Sequence, residues 1–348
     1  MLVLGVESSC DETAVGIVSD GRVVANAVRS QVEEHAAYGG IVPDLAARMH
    51  VEAIAPVVEE ACRQAGVTPD RIEAVAATYA PGLVNCLVVG LSWAKAFAVA
   101  RRIPFVAVDH LEAHVHACLL APPGATRAPD AAQLPLVALL ASGGHTAIYR
   151  YDGPGAIRRL GRTVDDAAGE AFDKVAVLLG LSYPGGPAVE RAAQGGDRAA
   201  FAFPRARVKG TDYDFSFSGL KTAVLYATRG KNQSRDAPLV PGLSIPDVSA
   251  SFQEAVCDVL AERVVRAALD EGVSTLALGG GVACNGRLRE LVRERGEAQA
   301  LDVVLSHPAY CTDNGAMIAA WAADAIAAGR APRATDLALG ALPRSEVA

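Results

Sequence analysis

Leu2–Val6 reads LVLGV; the polar turn ESSCDET follows at 7–13, and the chain returns as AVGIV at Ala14–Val18. An Asp20-Gly21 turn then leads into Val23–Val28. Apolar runs of about five residues separated by turn chemistry predict a meander of antiparallel strands with a polar loop after the first. The same design starts again near the middle. LVALL at Leu136–Leu140 runs into the small polar turn Ser142-Gly143-Gly144-His145-Thr146 and out through Ala147–Tyr151. A strand, polar turn and strand written twice predicts a duplicated α/β fold of two similar halves.

Between the two copies the hydrophobic period changes. Leu45, Met49, Ile54, Val57, Val58 and Ala61 recur at helical spacing from Pro43 to Ala65. Ala74–Thr78 reads as a strand, Ala80-Pro81-Gly82 as a break, Leu83–Ala100 as a buried helix, Phe105–Val108 as a strand and His110–Leu120 as a helix. Residues 121–133, rich in Pro, Ala and Gly, read as a linker, and 231–246 as an exposed loop. A late strand, Leu276–Leu278, ends in Gly279-Gly280-Gly281, with a helix expected from about Arg287. The expected lobes are 1–120 and 134–325, with a tail at 326–348 that packs back on the first lobe.

The chain has 348 residues, 51% of them hydrophobic, which is enough for one or two cored domains. The most apolar stretch, Leu83–Ala100, is interrupted by Asn85, Ser92 and Lys95, which argues against a membrane span. The first residues lack a basic region and meet Glu7 early, so no signal peptide is read and a cytoplasmic protein is expected. Seven cysteines, an odd number with no CxxC pair, argue against a disulfide framework or a four-cysteine zinc site. The net charge of −7 argues against a stand-alone nucleic-acid binder. Basic clusters do occur at Arg158, Arg159 and Arg162, at Arg205, Arg207 and Lys209, and at Arg287, Arg289, Arg293 and Arg295. Their plain reading is solvated faces.

The sharpest chemical feature is His110-Leu-Glu-Ala-His114. Residues i and i+4 share a helix face, so both imidazoles can address one metal, whereas His116 points elsewhere. Glu112 sits one place later than the glutamate of an H-E-x-x-H protease, about 100° around the helix, which weakens the protease reading. A third ligand is sought in Cys311-Thr312-Asp313-Asn314-Gly315, where Asp or Thr could equally cap the helix that follows. Small-residue turns at 141–146, 183–187 and 279–281 could bring backbone amides to a phosphate or ribose. No Walker P-loop is present. Asp165 and Asp166 read as an acidic first turn of a helix, with Asp173 deeper and able to hold a ribose hydroxyl. In DFSFSGLKT at 214–222, alternating Phe and Ser suggests a strand with Phe215 and Phe217 inward, and with Ser216, Ser218 and Lys221 toward a site.

Taken together these segments resemble the bacterial TsaD family (also called YgjD or Gcp), relatives of the archaeal and eukaryotic Kae-type proteins. The resemblance rests on GVESSCDETAVGIV at 5–18, SQVEEHAAYGGIVPDLAARMH at 30–50, APGLVNCLVVG at 80–90 and DHLEAH at 109–114. It continues through LLASGGHT at 139–146, DDAAGEAFDKVAVLLGLSYPGGP at 165–187, DFSFSGLKTA at 214–223, GGGVACNGRLR at 279–289 and CTDNGAMIA at 311–319. It implies the actin, Hsp70 and sugar-kinase (ASKHA) fold, two lobes around a nucleotide cleft. It implies transfer of a threonylcarbamoyl group from threonylcarbamoyl-AMP to N6 of adenosine 37 in tRNAs reading ANN codons, giving t6A and AMP. By the same resemblance His110, His114 and Asp313 hold one divalent metal, Fe2+ or Zn2+. Leu140, Ala141, Ser142, Gly143, Gly144, Asp173, Gly186 and Asn285 contact the donor. A TsaB-like paralogue and a TsaE-like ATPase are the implied partners, with no membrane. Ala113, Ala141, Cys284 and Asp109 depart from common family residues, and none of these departures removes a ligand. The competing classes are a metal-dependent glycoprotease and an actin-like ATPase or chaperone.

Overall fold

A computed structural model describes residues 1–38, 40–121, 125, 134–231, 234, 236–330, 337–345 and 347. Most of the expected linker at 121–133, residues 232, 233 and 235 of the expected loop, and residues 331–336, 346 and 348 of the tail lie outside the described residues.

The chain divides into two compact units. The first comprises Met1–Ala132, Tyr151–Ile157 and Ser306–Ala348. It begins with β1 (Leu2–Glu7), β2 (Glu12–Ser19), β3 (Arg22–Ser30), α1 (Val32–Ala36) and α2 (Pro43–Ala65). Then come β4 (Ala74–Ala80), α3 (Val84–Arg101), β5 (Phe105–Asp109) and α4 (His110–Ala117). The strands form one sheet in the order β3-β2-β1-β4-β5; β1 runs antiparallel to β2 and parallel to β4. β1 is apolar from Leu2 to Val6 because both sheet faces are covered, and only its last residue, Glu7, is charged. Leu4, Val6, Val15 and Ile17 pack with Ile54, Val57 and Val58 of α2 and Leu91 and Ala94 of α3. Val3, Val18, Val106 and Val108 point the other way, toward Ala113 and Ala117 of α4. By length and composition α3 alone among the described helices could cross a membrane; here Leu91, Ala94 and Ala98 lie in the sheet core.

The second unit comprises Gln133–Arg150 and Arg158–Leu305. Its elements begin with β6 (Leu136–Ala141), β7 (Thr146–Gly153) and β8 (Ala156–Arg162), followed by α5 (Ala168–Leu179), α6 (Gly185–Ala192) and α7 (Ser218–Arg229). α8 (Ile245–Asp270), β9 (Thr275–Gly279), α9 (Gly286–Glu297) and β10 (Asp302–Leu305) complete them. The sheet order is β10-β9-β6-β7-β8, with β6 and β10 both parallel to β9. Three consecutive strands followed by two parallel crossover strands reproduce the order of the first sheet, so the duplication read from the two strand-turn-strand segments is present at the level of topology.

Chain order misassigns the final helix. The expected second lobe ran to residue 325, yet α10 (Gly315–Ala327) belongs to the first unit, as does Tyr151–Ile157. The cause is backbone-to-backbone packing. A Cβ on Gly16 would lie 2.2 Å from the Ala316 nitrogen, and one on Gly5 would lie 2.3 Å from the Ala319 nitrogen. Only glycine at these sheet positions lets the helix lie directly on β1 and β2, where Met317, Ile318 and Trp321 join the Val3 and Val106 core.

The segment DFSFS is not a strand. Phe215 forms one isolated bridge to Thr163, and α7 starts at Ser218. Asp165 explains the difference, since its carboxylate accepts the N–H of Phe217 (2.8 Å) and the hydroxyls of Ser216 (2.6 Å) and Ser218 (2.7 Å). Asp165 therefore organises the start of α7 rather than complementing the dipole of α5, which begins later at Ala168. Phe215 and Phe217 are buried as expected.

Candidate metal centre and glycine turns

Asp109, the last residue of β5, starts α4 by accepting the N–H of Leu111 at 2.9 Å and of Glu112 at 3.1 Å on Oδ1. That fixes His110 at the first helical position and His114 one turn later, with ring centroids 4.6 Å apart. The polar turn after β1 supplies the support for His110. Its Nδ1 lies 3.1 Å from Glu7 Oε2 and 3.3 Å from Ser9 Oγ. Glu7 is itself held by the Ser9 N–H at 2.6 Å and by the Thr78 hydroxyl. With Nδ1 so occupied, Nε2 faces Asp313 Oδ1 at 3.6 Å. His114 Nε2 reaches the same oxygen at 2.9 Å, and its buried Nδ1 has no partner among the described residues.

The cap of α10 is Asn314, whose Oδ1 accepts the Met317 N–H at 2.9 Å. Asp313 is thereby turned toward the imidazoles. One ligand atom each from His110, His114 and Asp313 lies within 4.8 Å of the others. Donors about 2.0–2.1 Å from a tetrahedral zinc sit roughly 3.4 Å from one another, and the observed separations bracket that value. A carboxylate behind one ligand imidazole is the usual outer support of a metal site.

The local field points the same way. Burial alone would depress His110, but the carboxylates of Asp313 and Glu7 outweigh it and lift the imidazole to about 9. Burial, then the charges of Asp313 and Asp11, push Glu12 up to about 9. Burial would also raise Glu7, yet the charge and hydrogen bond of His110 hold it below the usual carboxylate range. This pocket favours positive charge, and a field that retains a proton also favours a divalent cation. Glu112 takes no part, because its Oε1 accepts the Gly155 N–H at 2.5 Å. His116 is structural, bonded to the Tyr151 hydroxyl at 3.0 Å and to Asp324 at 3.3 Å.

In the second unit two of the small-residue turns lie at the carboxyl ends of β6 and β9, and the third opens α6 against α5. Gly280 has φ +87°, and a Cβ on it would meet the Ala141 oxygen at 2.3 Å, so glycine alone lets the turn after β9 close on the end of β6. The Ser142 carbonyl accepts the Gly169 N–H of α5 at 3.1 Å. Asp173 Oδ1 accepts the Gly185 N–H at 2.7 Å, at the start of α6 beside Gly186. Burial raises the Asp173 carboxyl, and the Gly185 N–H offsets part of that. At Gly143, Gly144 and Gly186, apart from chain neighbours and the helix's own backbone, no atom of the described residues lies within 4 Å of where a Cβ would be. Leu140 and Ala141 are buried strand residues. Asn285 is buried in the cap of α9: Oδ1 accepts the Leu288 N–H at 3.1 Å, and Nδ2 donates to Gln253 at 2.9 Å.

A profile of the family described as TsaD, tRNA N6-adenosine threonylcarbamoyltransferase, matches residues 22–320. The chain is 48% identical to the tRNA N6-adenosine threonylcarbamoyltransferase of Syntrophotalea carbinolica, over 97% of this chain and 95% of that one. It is 52% identical to the enzyme of the same name from Syntrophobacter fumaroxidans, over 92% of this chain and 93% of the other. The chain belongs to the TsaD family. Solved structures place this TsaD-family chain among ASKHA-type folds. HypF of T. kodakarensis superposes with a TM-score of 0.62 at 18% identity, covering 94% of this chain and 48% of that one. The activator of 2-hydroxyisocaproyl-CoA dehydratase from Clostridium difficile, solved with bound ADPNP, gives 0.50 at 14% identity, covering 94% and 96%. At such identities the likeness speaks for the fold alone.

His110, His114 and Asp313, the residues expected to act together, lie close to one another, whereas no spacing in the sequence joins Glu7, Ser9 and Thr78. Glu7 and Thr78 are 71 residues apart, and only the pairing of β1 with β4 brings them together. The polar turn interrupting an apolar strand was the available signal.

Proposed function

We propose that this chain transfers the threonylcarbamoyl group of threonylcarbamoyl-AMP directly to N6 of adenosine 37 in tRNAs reading ANN codons, with one divalent metal held by His110, His114 and Asp313. The observation that carries the metal reading is the convergence of His110 Nε2 and His114 Nε2 on Asp313 Oδ1 in a chain of this family. The N6–carbon bond forms as the carbon–oxygen bond to AMP breaks, the amine gives up one N6 proton to the departing phosphate or to water, and no covalent enzyme intermediate is invoked. The cation, Fe2+ or Zn2+, would supply Lewis-acid polarisation and a template for the threonylcarbamoyl end. Glu7 keeps the His110 ring oriented, and Asp109 keeps both imidazoles on one helix face. In the second unit the backbone of exposed Gly143 and Gly144 and of half-buried Ser142 and Gly186 would hold the adenylate, at the end of the strand residues Leu140 and Ala141. Asp173 offers the ribose its second oxygen, the first being engaged by Gly185. Asn285 contributes through the turn it shapes. Positioning of two reactants can lower a barrier by about 7–11 kcal/mol, so a strong general base is not required.

With a net charge of −7 the chain needs help with a polyanion, which supports a TsaB-like paralogue and a TsaE-like ATPase as partners in the cytoplasm. The protease reading loses its base, because Glu112 is bonded to the Gly155 backbone.

The test is mass spectrometry of nucleosides from unmodified ANN-decoding tRNA incubated with threonylcarbamoyl-AMP, this chain and both partners. Threonylcarbamoyladenosine is expected only when this chain is present. Its absence, beside an active family member assayed in parallel, would overturn the reading. The double variant His110→Ala, His114→Ala is expected to lose bound metal and transfer while remaining folded, and transfer retained without metal would remove the metal from the mechanism.

A further inference from the structure

Residues 337–345 run back over the first unit and finish on the cap of α4. The Leu339 carbonyl accepts the Lys95 ammonium of α3, and Ala341 packs against the core between the sheet and α2 and α3. The pairing of β4 with β5 passes from Thr78 to Ala80 and skips Tyr79. The Leu342 N–H donates to the Tyr79 carbonyl at 2.9 Å. Three residues on, the Ser345 hydroxyl donates to Asp109 Oδ2 and accepts the Val347 N–H at 2.9 Å.

We propose that this segment is a strap that sets the first turn of α4, and that Ser345 is a positioning residue for His110. Asp109 is buried, 6% exposed, and both its oxygens are used: Oδ1 takes the Leu111 and Glu112 amides, and Oδ2 takes Ser345. His110 follows Asp109 directly, so the rotation of that carboxylate fixes the helical residue whose Nε2 faces Asp313. The strap reaches His110 by a second line as well. It holds Tyr79, the neighbour of Thr78, whose hydroxyl anchors the Glu7 that orients the His110 ring. A segment that merely covered the apolar core would need Ala341 and not a half-buried hydroxyl bonded to the buried cap of α4. The consequence for metal binding rests on the metal reading above; the consequence for α4 does not.

The experiment compares the full chain with Ser345→Ala, Ser345→Thr and a chain ending at residue 336. Amide exchange is followed in metal-free protein, and Zn2+ affinity is measured by chelator competition. Loss of a hydrogen bond to a carboxylate should speed exchange of the Leu111 and Glu112 amides about tenfold in Ser345→Ala. Zn2+ affinity should fall about three- to tenfold, less than the 10–100-fold expected when a direct outer partner of a ligand is removed. Ser345→Thr should restore both, and the shortened chain should match or exceed the loss. Exchange at Leu111 and Glu112 unchanged in Ser345→Ala and in the shortened chain would overturn the strap. So would exchange that rises equally across α3, α4 and α10, since that marks general destabilisation. His110→Ala, His114→Ala runs in parallel: if it binds Zn2+ as the full chain does, the metal reading fails, and the Leu111 and Glu112 amides still decide the strap.

Discussion

Asn314 accepts the Met317 N–H that opens α10, and its own amide donates to the Thr312 carbonyl at 2.8 Å. Capping at this corner is therefore the work of Asn314, and the carboxylate beside it serves His114. Asn314→Ala should lower stability by about 0.5–2 kcal/mol, read from urea denaturation. Glu7 is fully buried behind His110, and Glu7→Gln should weaken metal binding about 10–100-fold by chelator competition. An unchanged affinity would mean that the His110 ring is oriented by packing alone. At this scale the sequence is legible where residues are neighbours on one helix, as with His110 and His114. It is silent where partners meet through a sheet or across 236 residues, as Asp109 and Ser345 do.

The elements that were legible are those with one apolar stripe or short apolar runs between turns, such as α2 and the strands β1, β2 and β6. α8 was not, because its buried residues run from Val248 to Ala268 with polar Ser249, Ser251, Gln253 and Arg263 among them, and no single stripe marks it. The placement of α10 was equally hidden, since it depends on glycines more than 290 residues away. Gly16→Ala would force a Cβ into the α10 backbone and should cost about 1–3 kcal/mol or more, measured as a fall in melting temperature. Asp258 joins α8 to Arg295 of α9 and to Arg205. Burial raises its carboxyl, but the two guanidiniums outweigh this and hold it below the ordinary range. A depressed folded value stabilises the fold fully above the unfolded value of about 3.9, and the benefit is lost as pH falls through the folded value. The stability difference between the natural chain and Asp258→Asn should therefore be constant near neutrality and vanish in acid. A difference that grows as pH falls would contradict the pairing.

For the molecule as a whole, the two sheets of identical strand order were foreshadowed by the repeated strand-turn-strand segments, whereas the division of the chain between units was not. Seven thiols are distributed over both units without a disulfide, and only Cys284 is exposed. Burial pushes the Cys86 thiol up to about 11 and Cys118 to about 12. One thiol per chain should react quickly with an aromatic disulfide reagent under native conditions and the rest only on unfolding, and Cys284→Ser should abolish the fast phase.

The first unit is discontinuous: the sheet that opens at Leu2 is covered on one face by α10, which ends at Ala327. Chains are made from the amino end at about 5–20 residues per second, so the nascent sheet waits about 10–40 s after α4 emerges before its cover and Asp313 are available. A ribosome that stalls anywhere in the second unit leaves a chain with both histidines, no third ligand and one sheet face covered by α4 but not by α10. Such a fragment would be a substrate for chaperones and proteases, and the centre can form only in a chain translated through Asp313, at the threshold of α10.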